Sequence, residues 1–189
     1  MRDFFQSQLF HLRRKTTMNK FHKVSYEQFK KDLEVNCNLS GVSEESIKKI
    51  YDDIKMPKRS TKGSAGYDFF APISIYLTRK AHTVIPTGIR MEMDPDRVLM
   101  CFPRSGLGFK YRMQLDNTVG VIDSDYFYSD NEGHIMIKIA NDGYEDKIVE
   151  VEKGKAFAQG VLMSFYLTDD DDSDGIRNGG MGSTDEENK

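Results

Sequence analysis

Hydrophobic and polar residues alternate along the middle of the chain, and this alternation predicts a series of β-strands. Within residues 73–77, 89–93 and 135–139, every second residue is isoleucine, leucine or methionine. A period of two is typical of strands that bury one face. Two continuous apolar runs, at residues 98–102 and 160–167, predict further strands that are buried on both faces.

Short turn sequences separate these runs. They include Pro86-Thr87-Gly88, Asn141-Asp142-Gly143 and Lys153-Gly154, which combine residues that favour turns. Many short strands at this spacing predict an all-β sandwich, jelly roll or barrel. We therefore expect one β domain over residues 57–167.

A helical pattern precedes the β domain. Ser25 and Gln28 have the spacing of a capping box, and Ser43 is placed to cap a second helix. Four apolar residues then follow the spacing of an amphipathic helix: Ile47, Ile50, Tyr51 and Ile54. The pattern ends at Met56-Pro57, because a residue before proline avoids the α conformation. Residues 24–56 thus predict a helical extension that docks on the β domain or on a neighbouring subunit.

The two ends of the chain have compositions that do not favour a folded core. Residues 1–23 mix basic and apolar residues without a regular pattern, which predicts a disordered leader. Residues 168–189 begin with the acidic run Asp169–Asp172 and continue with several glycines. This composition predicts a flexible C-terminal arm.

Charge and cysteine content narrow the classes of function. The 189 residues include 27 Lys and Arg against 30 Asp and Glu, a formal net charge of -3, which does not favour a nucleic-acid partner. No apolar run reaches the roughly 18–20 residues that a membrane span needs. Cys37 and Cys101 match neither a disulfide framework nor a metal-ligand spacing, which predicts a reducing, cytoplasmic compartment.

Arg104-Ser105-Gly106 follows an apolar strand and is the first candidate for anion binding. A planar guanidinium and a hydroxyl suit phosphate, and glycine lets backbone N–H groups approach an anion closely. Taken alone, the tripeptide also fits a surface turn with a solvated arginine.

Asp123 directly follows a short apolar strand and lies close to an aromatic residue. A carboxylate in that position can be partly desolvated and can act as a general base. We expect Asp125 to lie on the opposite side, so that only one of the two carboxylates faces the site. A pair of turn aspartates before a hairpin is the alternative.

Two further segments hold candidate polar groups. Asp68 lies in a strand-like apolar segment, where a carboxylate needs partners, either as a hydrogen-bonding hub or as an outer group near a metal. The segment Arg177–Thr184 has the composition of an arm that wraps an anion or of a disordered tail. The scattered histidines are interpreted as surface or packing residues: His11, His22, His82 and His134.

In order and spacing, five segments resemble the five motifs of the homotrimeric dUTPase family (dUTP diphosphatases). They are AGYDFFAP at Ala65–Pro72, PRSGLG at Pro103–Gly108, NTVGVIDSDY at Asn117–Tyr126, GKAFAQ at Gly154–Gln159 and NGGMGST at Asn178–Thr184. The resemblance implies an all-β subunit with a distorted jelly-roll (β-clip) fold and a homotrimer with shared active sites. It also implies hydrolysis of dUTP to dUMP and pyrophosphate with Mg²⁺.

The resemblance implies roles for individual residues. Asp123 would activate water for attack at the α-phosphate, and Tyr126 would pack on the deoxyribose and exclude a 2′-hydroxyl. Uracil would be read by Asn117, Gly120, Val121, Ile122 and Met136. Phosphates would be bound by Arg104, Ser105, Gly106 and Gln159, with Asp68 near the Mg²⁺ through water. The arm would close over a neighbour's nucleotide through Arg177, Met181, Gly182, Ser183 and Thr184.

Three features depart from the family pattern. Met181 replaces the usual aromatic residue that stacks on uracil, which predicts looser closure of the arm. Arg177 is one residue closer to the following glycine pair than is usual. Residues 128–132 lengthen the hairpin after the third motif, which predicts a longer loop.

Two other functions fit the same fold. A dCTP deaminase-like enzyme would need a catalytic glutamate in the hairpin, where Glu132 is the candidate. A dUTP-sensing regulatory protein would use the helical extension as its partner surface. The four motifs within the β domain favour catalysis over both alternatives.

Overall fold

Antiparallel strands form the body of the structure, a computed structural model that describes residues 19–175, 177 and 179. The strands in that part of the chain are β1 (Lys20–Lys23), β2 (Tyr67–Phe70), β3 (Ile75–Leu77), β4 (His82–Pro86), β5 (Ile89–Glu92), β6 (Arg97–Pro103), β7 (Met113–Leu115), β8 (Gly120–Asp123), β9 (Met136–Asn141), β10 (Val149–Val151) and β11 (Ala156–Ser164). They pair as a four-stranded sheet in the order β2-β11-β6-β8, a three-stranded sheet in the order β4-β9-β7, and the pairs β1-β5 and β3-β10. The predicted all-β class is confirmed.

One hydrophobic cluster joins the sheets to the helical extension. The predicted alternation is confirmed in β9, where Ile137 and Ile139 are buried and Lys138 between them is exposed. The short strand β3 behaves in the same way, since Tyr76 is exposed between two buried neighbours. The period-two pattern therefore identifies the core face of these strands.

The two continuous apolar runs are not buried on both faces of this chain, contrary to the prediction. In β6, only Leu99 and Cys101 are fully buried, and the residues beside them are partly covered. Just beyond β11, Tyr166 is 94% exposed, and Phe165 and Leu167 are exposed as well. The sheet packs one face on the core, so the chain itself covers only alternate side chains.

Three α-helices accompany the strands in the described ranges: α1 (Tyr26–Asn36), α2 (Glu44–Asp52) and α3 (Ser105–Tyr111). Both predicted N-caps are confirmed. The hydroxyl of Ser25 accepts a hydrogen bond from the Gln28 N–H at 3.1 Å, and that of Ser43 accepts one from the Ser46 N–H at 3.2 Å. None of these helices is both long and apolar enough to cross a lipid bilayer.

The extension docks on the β domain of its own chain, which decides between the two expected locations. Phe29 and Leu33 of α1 are fully buried. Phe29 and Ile54 both lie against Gly88, in the turn between β4 and β5. Burying two large apolar side chains of one helix stabilises its position by several kcal/mol, at about 2 kcal/mol each.

The strand β1 departs from the predicted boundary of the leader at residue 23. Lys20–Lys23 pairs along β5, with Phe21 opposite Met91. The Phe21 ring also packs edge-on against Phe69, at 5.8 Å between ring centroids. This aromatic contact and the backbone pairing give residues 20–23 a fixed place on the β domain. Residues 1–18 lie outside the described part of the chain.

Candidate active site

A cavity of about 450 Å³ opens beside β8 and contains the residues expected to bind a base and a sugar. Eight predicted site residues line it: Asn117, Gly120, Val121, Ile122, Asp123, Tyr126, Met136 and Arg177. They come from β8, the 3₁₀ helix Ser124–Tyr128 that follows it, the start of β9 and the C-terminal arm. The third motif and the arm therefore meet at one place.

The floor of this cavity is apolar. Gly120 pairs with Cys101 across β8 and β6, and a Cβ atom at Gly120 would lie 3.1 Å from the Cβ of Cys101. Glycine thus keeps the floor open. Burial raises the pKa of the Cys101 thiol to about 12, so the thiol is neutral at physiological pH. A flat ring of low charge can rest on such a floor.

Asp123 lies at the rim of the cavity and shares one guanidinium with Asp125. Arg177 Nη2 lies 2.5 Å from Asp123 Oδ2, and Arg177 Nε lies 2.9 Å from Asp125 Oδ1. The prediction that Asp125 faces the opposite side is wrong, because residues two positions apart share a face of a strand. Asp125 begins the 3₁₀ helix and contacts the same guanidinium as Asp123. The Asp123 side chain is 50% exposed, so water reaches it.

Tyr126 is almost fully buried and forms one wall of the cavity. Its hydroxyl donates to the His134 carbonyl at 2.8 Å and accepts from Asn131 Nδ2 at 2.8 Å. Burial raises the pKa of Tyr126 and outweighs the opposing hydrogen bond from Asn131, so the phenol is neutral. Because the hydroxyl is fully engaged, the ring is held in one orientation and presents an apolar surface.

The residues expected to bind phosphate form a second cluster at the end of β6. Arg104 Nε lies 3.4 Å from Asp68 Oδ1, and Ser60 Oγ donates to Asp68 Oδ2 at 2.9 Å. Gln159 pairs with Asp68 in the sheet, and Gln159 Nε2 donates to the Pro103 carbonyl at 3.2 Å. Asp68 is therefore a hydrogen-bonding hub that holds Arg104, one of the two roles considered for it.

The start of α3 adds open space to the second cluster. Ser105 and Gly106 are exposed in the first turn of this helix, directly after Arg104. A Cβ atom at Gly106 would meet nothing within 4 Å. In residues 19–175, 177 and 179, no three His, Cys, Asp or Glu side chains converge as a metal-binding group.

The two clusters are separated within one chain. In the register of β6 and β8, Val98 lies opposite Asp123, and Arg104 follows Val98 by six positions. At about 3.3 Å per residue, Arg104 and Asp123 are roughly 20 Å apart along the sheet. One chain therefore does not bring all of the predicted residues into a single site. Four of them, Met181, Gly182, Ser183 and Thr184, lie outside the described residues.

Several residues around the cavity were not anticipated from the sequence. Asp116 and Lys138 line it and form an ion pair at 2.7 Å. His134 is fully buried, in agreement with the packing role expected for it, but its contact with the Tyr126 hydroxyl was not anticipated. Only the alternation along β9 indicated that Lys138 faces away from the core, and no spacing in the sequence linked Asp116 to it.

Comparisons with known proteins agree with this geometry. The dUTPase family model matches residues 52–184. A deoxyuridine 5'-triphosphate nucleotidohydrolase of Lactococcus lactis subsp. lactis is 41% identical over 134 residues, which cover 69% of this chain and 88% of that protein. The enzyme of the same name from Hahella chejuensis is 37% identical over 145 residues, which cover 72% of this chain and 91% of that protein.

Solved structures give the same fold. The crystal structure of a dUTPase from Streptococcus mutans has a TM-score of 0.54 and 39% sequence identity, and the match covers 60% of this chain and 88% of that chain. A mutant dUTPase from phage phi11 of S. aureus, solved to show the coordination of a structural Mg(II) ion, has a TM-score of 0.52. Its match covers 64% of this chain and 90% of that chain, and its 22% identity supports the fold alone.

The family model matches more than two thirds of the chain and includes both clusters of predicted site residues. The motifs, the antiparallel fold and the relatives at 37–41% identity agree. The chain belongs to the dUTPase family.

Proposed function

We propose that this chain hydrolyses dUTP to dUMP and pyrophosphate. The observation that carries the proposal is the composition of the 450 Å³ cavity, which joins an apolar floor, the fixed ring of Tyr126 and a water-accessible carboxylate at Asp123. A pyrimidine, its sugar and an attacking water would each find a suitable surface there. The names of the relatives at 37–41% identity support the same substrate.

Asp123 would act as the general base. Its carboxylate accepts a proton from water, the resulting oxygen nucleophile bonds to the α-phosphorus, and the bond from that phosphorus to the bridging oxygen breaks. Pyrophosphate leaves and Asp123 holds the proton. Substrate phosphates would compete with Asp123 for the Arg177 guanidinium, which frees the carboxylate for this role.

The cavity would select the base and the sugar by shape. Backbone groups of Asn117, Gly120, Val121 and Ile122, together with Met136, would contact the uracil edge and leave no space for a 5-methyl group. The ring of Tyr126 would pack on the deoxyribose, where a 2′-hydroxyl would meet an apolar surface without a hydrogen-bonding partner. Met181 would cover the base from the arm.

The second cluster would bind the triphosphate. Arg104 is held by Asp68, and the exposed Ser105 and Gly106 leave backbone and hydroxyl donors free for anions. Mg²⁺ would neutralise phosphate charge and would be held mainly by substrate oxygens. Both oxygens of Asp68 already have partners, so Asp68 suits contact with Mg²⁺ through water better than direct ligation.

We further propose that three copies of the chain complete three shared sites. The separation of roughly 20 Å between Asp123 and Arg104 supports this, because a second copy is needed to bring a phosphate-binding cluster to each cavity. The arm would close the site, and its residues Gly182, Ser183 and Thr184 would contact the phosphates. Gln159 of the β domain would be a further phosphate contact. The exposed Phe165, Tyr166 and Leu167 offer apolar surface for such contacts. The free cysteines suit a cytoplasmic location.

A pyrophosphate-release assay with purified chain and Mg²⁺ tests the proposal. We expect turnover of dUTP and far less turnover of dTTP, dCTP or UTP. Ammonia release from dCTP would instead indicate a deaminase, although the carboxylate of Glu132 is already bonded to Ser25. Tight binding of dUTP without turnover would indicate a nucleotide sensor.

A further inference from the structure

The hydroxyl of Tyr126 is anchored to the segment that lengthens the hairpin. Its two partners, the His134 carbonyl and Asn131 Nδ2, both lie in or just after that segment. The chain returns closely past Tyr126, since a Cβ atom at Gly133 would lie 2.6 Å from the Tyr126 carbonyl oxygen. The orientation of the Tyr126 ring therefore depends on where residues 131–134 are held.

The side chain of His134 fixes that segment. It is fully buried, and both ring nitrogens have partners. The Gly88 N–H can only donate, and it lies 2.8 Å from His134 Nε2, so Nε2 is the unprotonated nitrogen. His134 Nδ1 therefore carries the hydrogen and donates it to Asp32 Oδ2, 2.5 Å away.

Asp32 belongs to α1, so the partner of this buried histidine comes from the helical extension. Gln28, one turn earlier, donates to the same carboxylate oxygen at 2.7 Å and orients it. Phe29 packs beside the His134 ring, at 6.3 Å between centroids. The carboxylate that sets the tautomer of His134 thus lies outside the β domain.

A second contact holds the start of α1 to the same segment. The carboxylate of Glu132 accepts hydrogen bonds from the Ser25 N–H at 2.7 Å and from the Ser25 hydroxyl at 2.6 Å. In a capping box, Gln28 would bond that N–H, but here its side chain turns to Asp32. The helical extension and the hairpin region therefore form hydrogen bonds with each other at two points along α1.

We infer that Asp32 is a positioning residue for sugar selection: through the Nδ1–H tautomer of His134 it fixes the carbonyl that anchors the Tyr126 hydroxyl. The inference rests on the proposed function, in which the Tyr126 ring packs on the deoxyribose. Loss of Asp32 leaves the His134 Nδ1–H buried without an acceptor, so residues 131–134 relax and the ring loses its fixed orientation. The helical extension is then part of the site's discrimination between dUTP and UTP.

The test compares kcat/KM for dUTP and UTP in Asp32→Ala, Asp32→Asn and Glu34→Ala. Asp32→Ala should lower the dUTP preference roughly tenfold, since small misplacements of a contact surface have effects of that size or more. Asp32→Asn keeps an oxygen acceptor and should restore most of the preference. Glu34 lies on the exposed side of the same helix and is the matched control, whose replacement should leave the preference unchanged.

The ratio for dUTP against dTTP separates positioning from general damage. The uracil contacts lie on β8 and β9, so Asp32→Ala should leave this ratio within about twofold while the dUTP against UTP ratio falls. The inference would be overturned if the Asp32→Ala variant melts at a lower temperature but keeps the wild-type preference for dUTP over UTP. If that variant does not fold, Glu132→Ala removes the acceptor for Ser25 and tests the same helix from its first turn, and an unchanged sugar preference there would count equally against the inference.

A measurement that does not depend on catalysis distinguishes failure of the role inferred for Asp32 from failure of the proposed dUTP hydrolysis. Nitrogen-15 spectra of histidine should show His134 as the Nδ1–H tautomer in the wild type and a changed signal in Asp32→Ala. If the wild type does not hydrolyse dUTP, the proposed function fails, and the affinities for non-hydrolysable dUTP and UTP analogues in the same variants still test the role of Asp32.

Discussion

The guanidinium of Arg177 contacts the Asp123 carboxylate, with 2.5 Å between Nη2 and Oδ2. The arm that carries Arg177 thus reaches the rim of the cavity, and its guanidinium is paired with the proposed base. Phosphate oxygens are strong competitors for a guanidinium, so substrate binding and release of the base would be one event.

Replacing Asp123 with Asn should remove turnover but not binding. The amide keeps the shape of the carboxylate and cannot accept the proton of the attacking water, so kcat should fall by about 10²–10⁴-fold. The affinity for a non-hydrolysable dUTP analogue, measured by calorimetry, should change only a few-fold. Asp125→Asn is the matched control, because Asp125 pairs with the same arginine. Equal losses of kcat in both variants would contradict the assignment of the base to Asp123.

Truncation after Thr168 should leave a folded protein with poor turnover. Residues 169–175 are exposed and add nothing to the core, so the melting temperature should stay within about 2 °C. The kcat/KM for dUTP should fall at least about tenfold, because Arg177 and the rest of the arm no longer close the site. Truncation after Thr184 removes only the last five residues and should retain activity. Full activity of the shorter protein would show that the arm is dispensable.

Gly88→Ala should destabilise the fold. Gly88 has a φ of +73°, and a Cβ atom there would lie 2.3 Å from Ile54 Cδ1 and 3.3 Å from Phe29 Cδ2. Left-handed strain and overpacking together should lower the free energy of unfolding by about 2–4 kcal/mol in urea titrations. Gly63→Ala, where a Cβ atom meets nothing within 4 Å, should change it by less than about 0.5 kcal/mol. A similar small change at Gly88 would mean that the helical extension, through Phe29 and Ile54, does not pack tightly on this turn.

Asp32→Asn should alter how stability depends on acid. Burial alone would raise the pKa of Asp32, but the hydrogen bonds from His134 and Gln28 outweigh it and hold that pKa below 3.8. A carboxyl with a lower pKa in the folded state stabilises the fold above the unfolded pKa, and this contribution is lost as the pH falls through the folded pKa. At neutral pH, the free energy of unfolding of the wild type should therefore be higher than that of Asp32→Asn by about 2 kcal/mol.

That difference should shrink as the pH falls below 3.8, in urea titrations at pH 7, 5, 4 and 3. The exposed Glu34→Gln should follow the wild type throughout the same series. A gap that stays constant between pH 7 and 3 would contradict the pairing of Asp32 with His134.

The spacing of residues close together in the sequence predicted the helix caps and the core faces of the strands. The caps at Ser25 and Ser43 and the core face of β9 follow from short-range spacing, because a helix cap and a strand face depend on neighbouring residues. The grouping of Asn117, Asp123 and Tyr126 at one cavity also follows from a single continuous segment.

Other parts of the site depend on contacts between residues far apart in the chain. The contact of Asp125 with Arg177 joins residues 52 positions apart, and no spacing in the sequence predicts it. The pairing of Glu132 with Ser25 joins residues 107 positions apart, so the sequence predicted only the local capping box of Ser25 and Gln28. The distance between Arg104 and Asp123 follows only from the register of β6 and β8.

The two contacts between α1 and the lengthened hairpin make these two segments structurally dependent on each other. Deleting the extension would remove Asp32, the acceptor for the buried His134 Nδ1–H, and Ser25, a partner of Glu132, and deleting residues 128–132 would remove the acceptor for the Ser25 N–H. Neither segment can be lost or transferred to a shorter relative on its own without exposing a polar group that the other had satisfied. A graft that preserves the site must carry both.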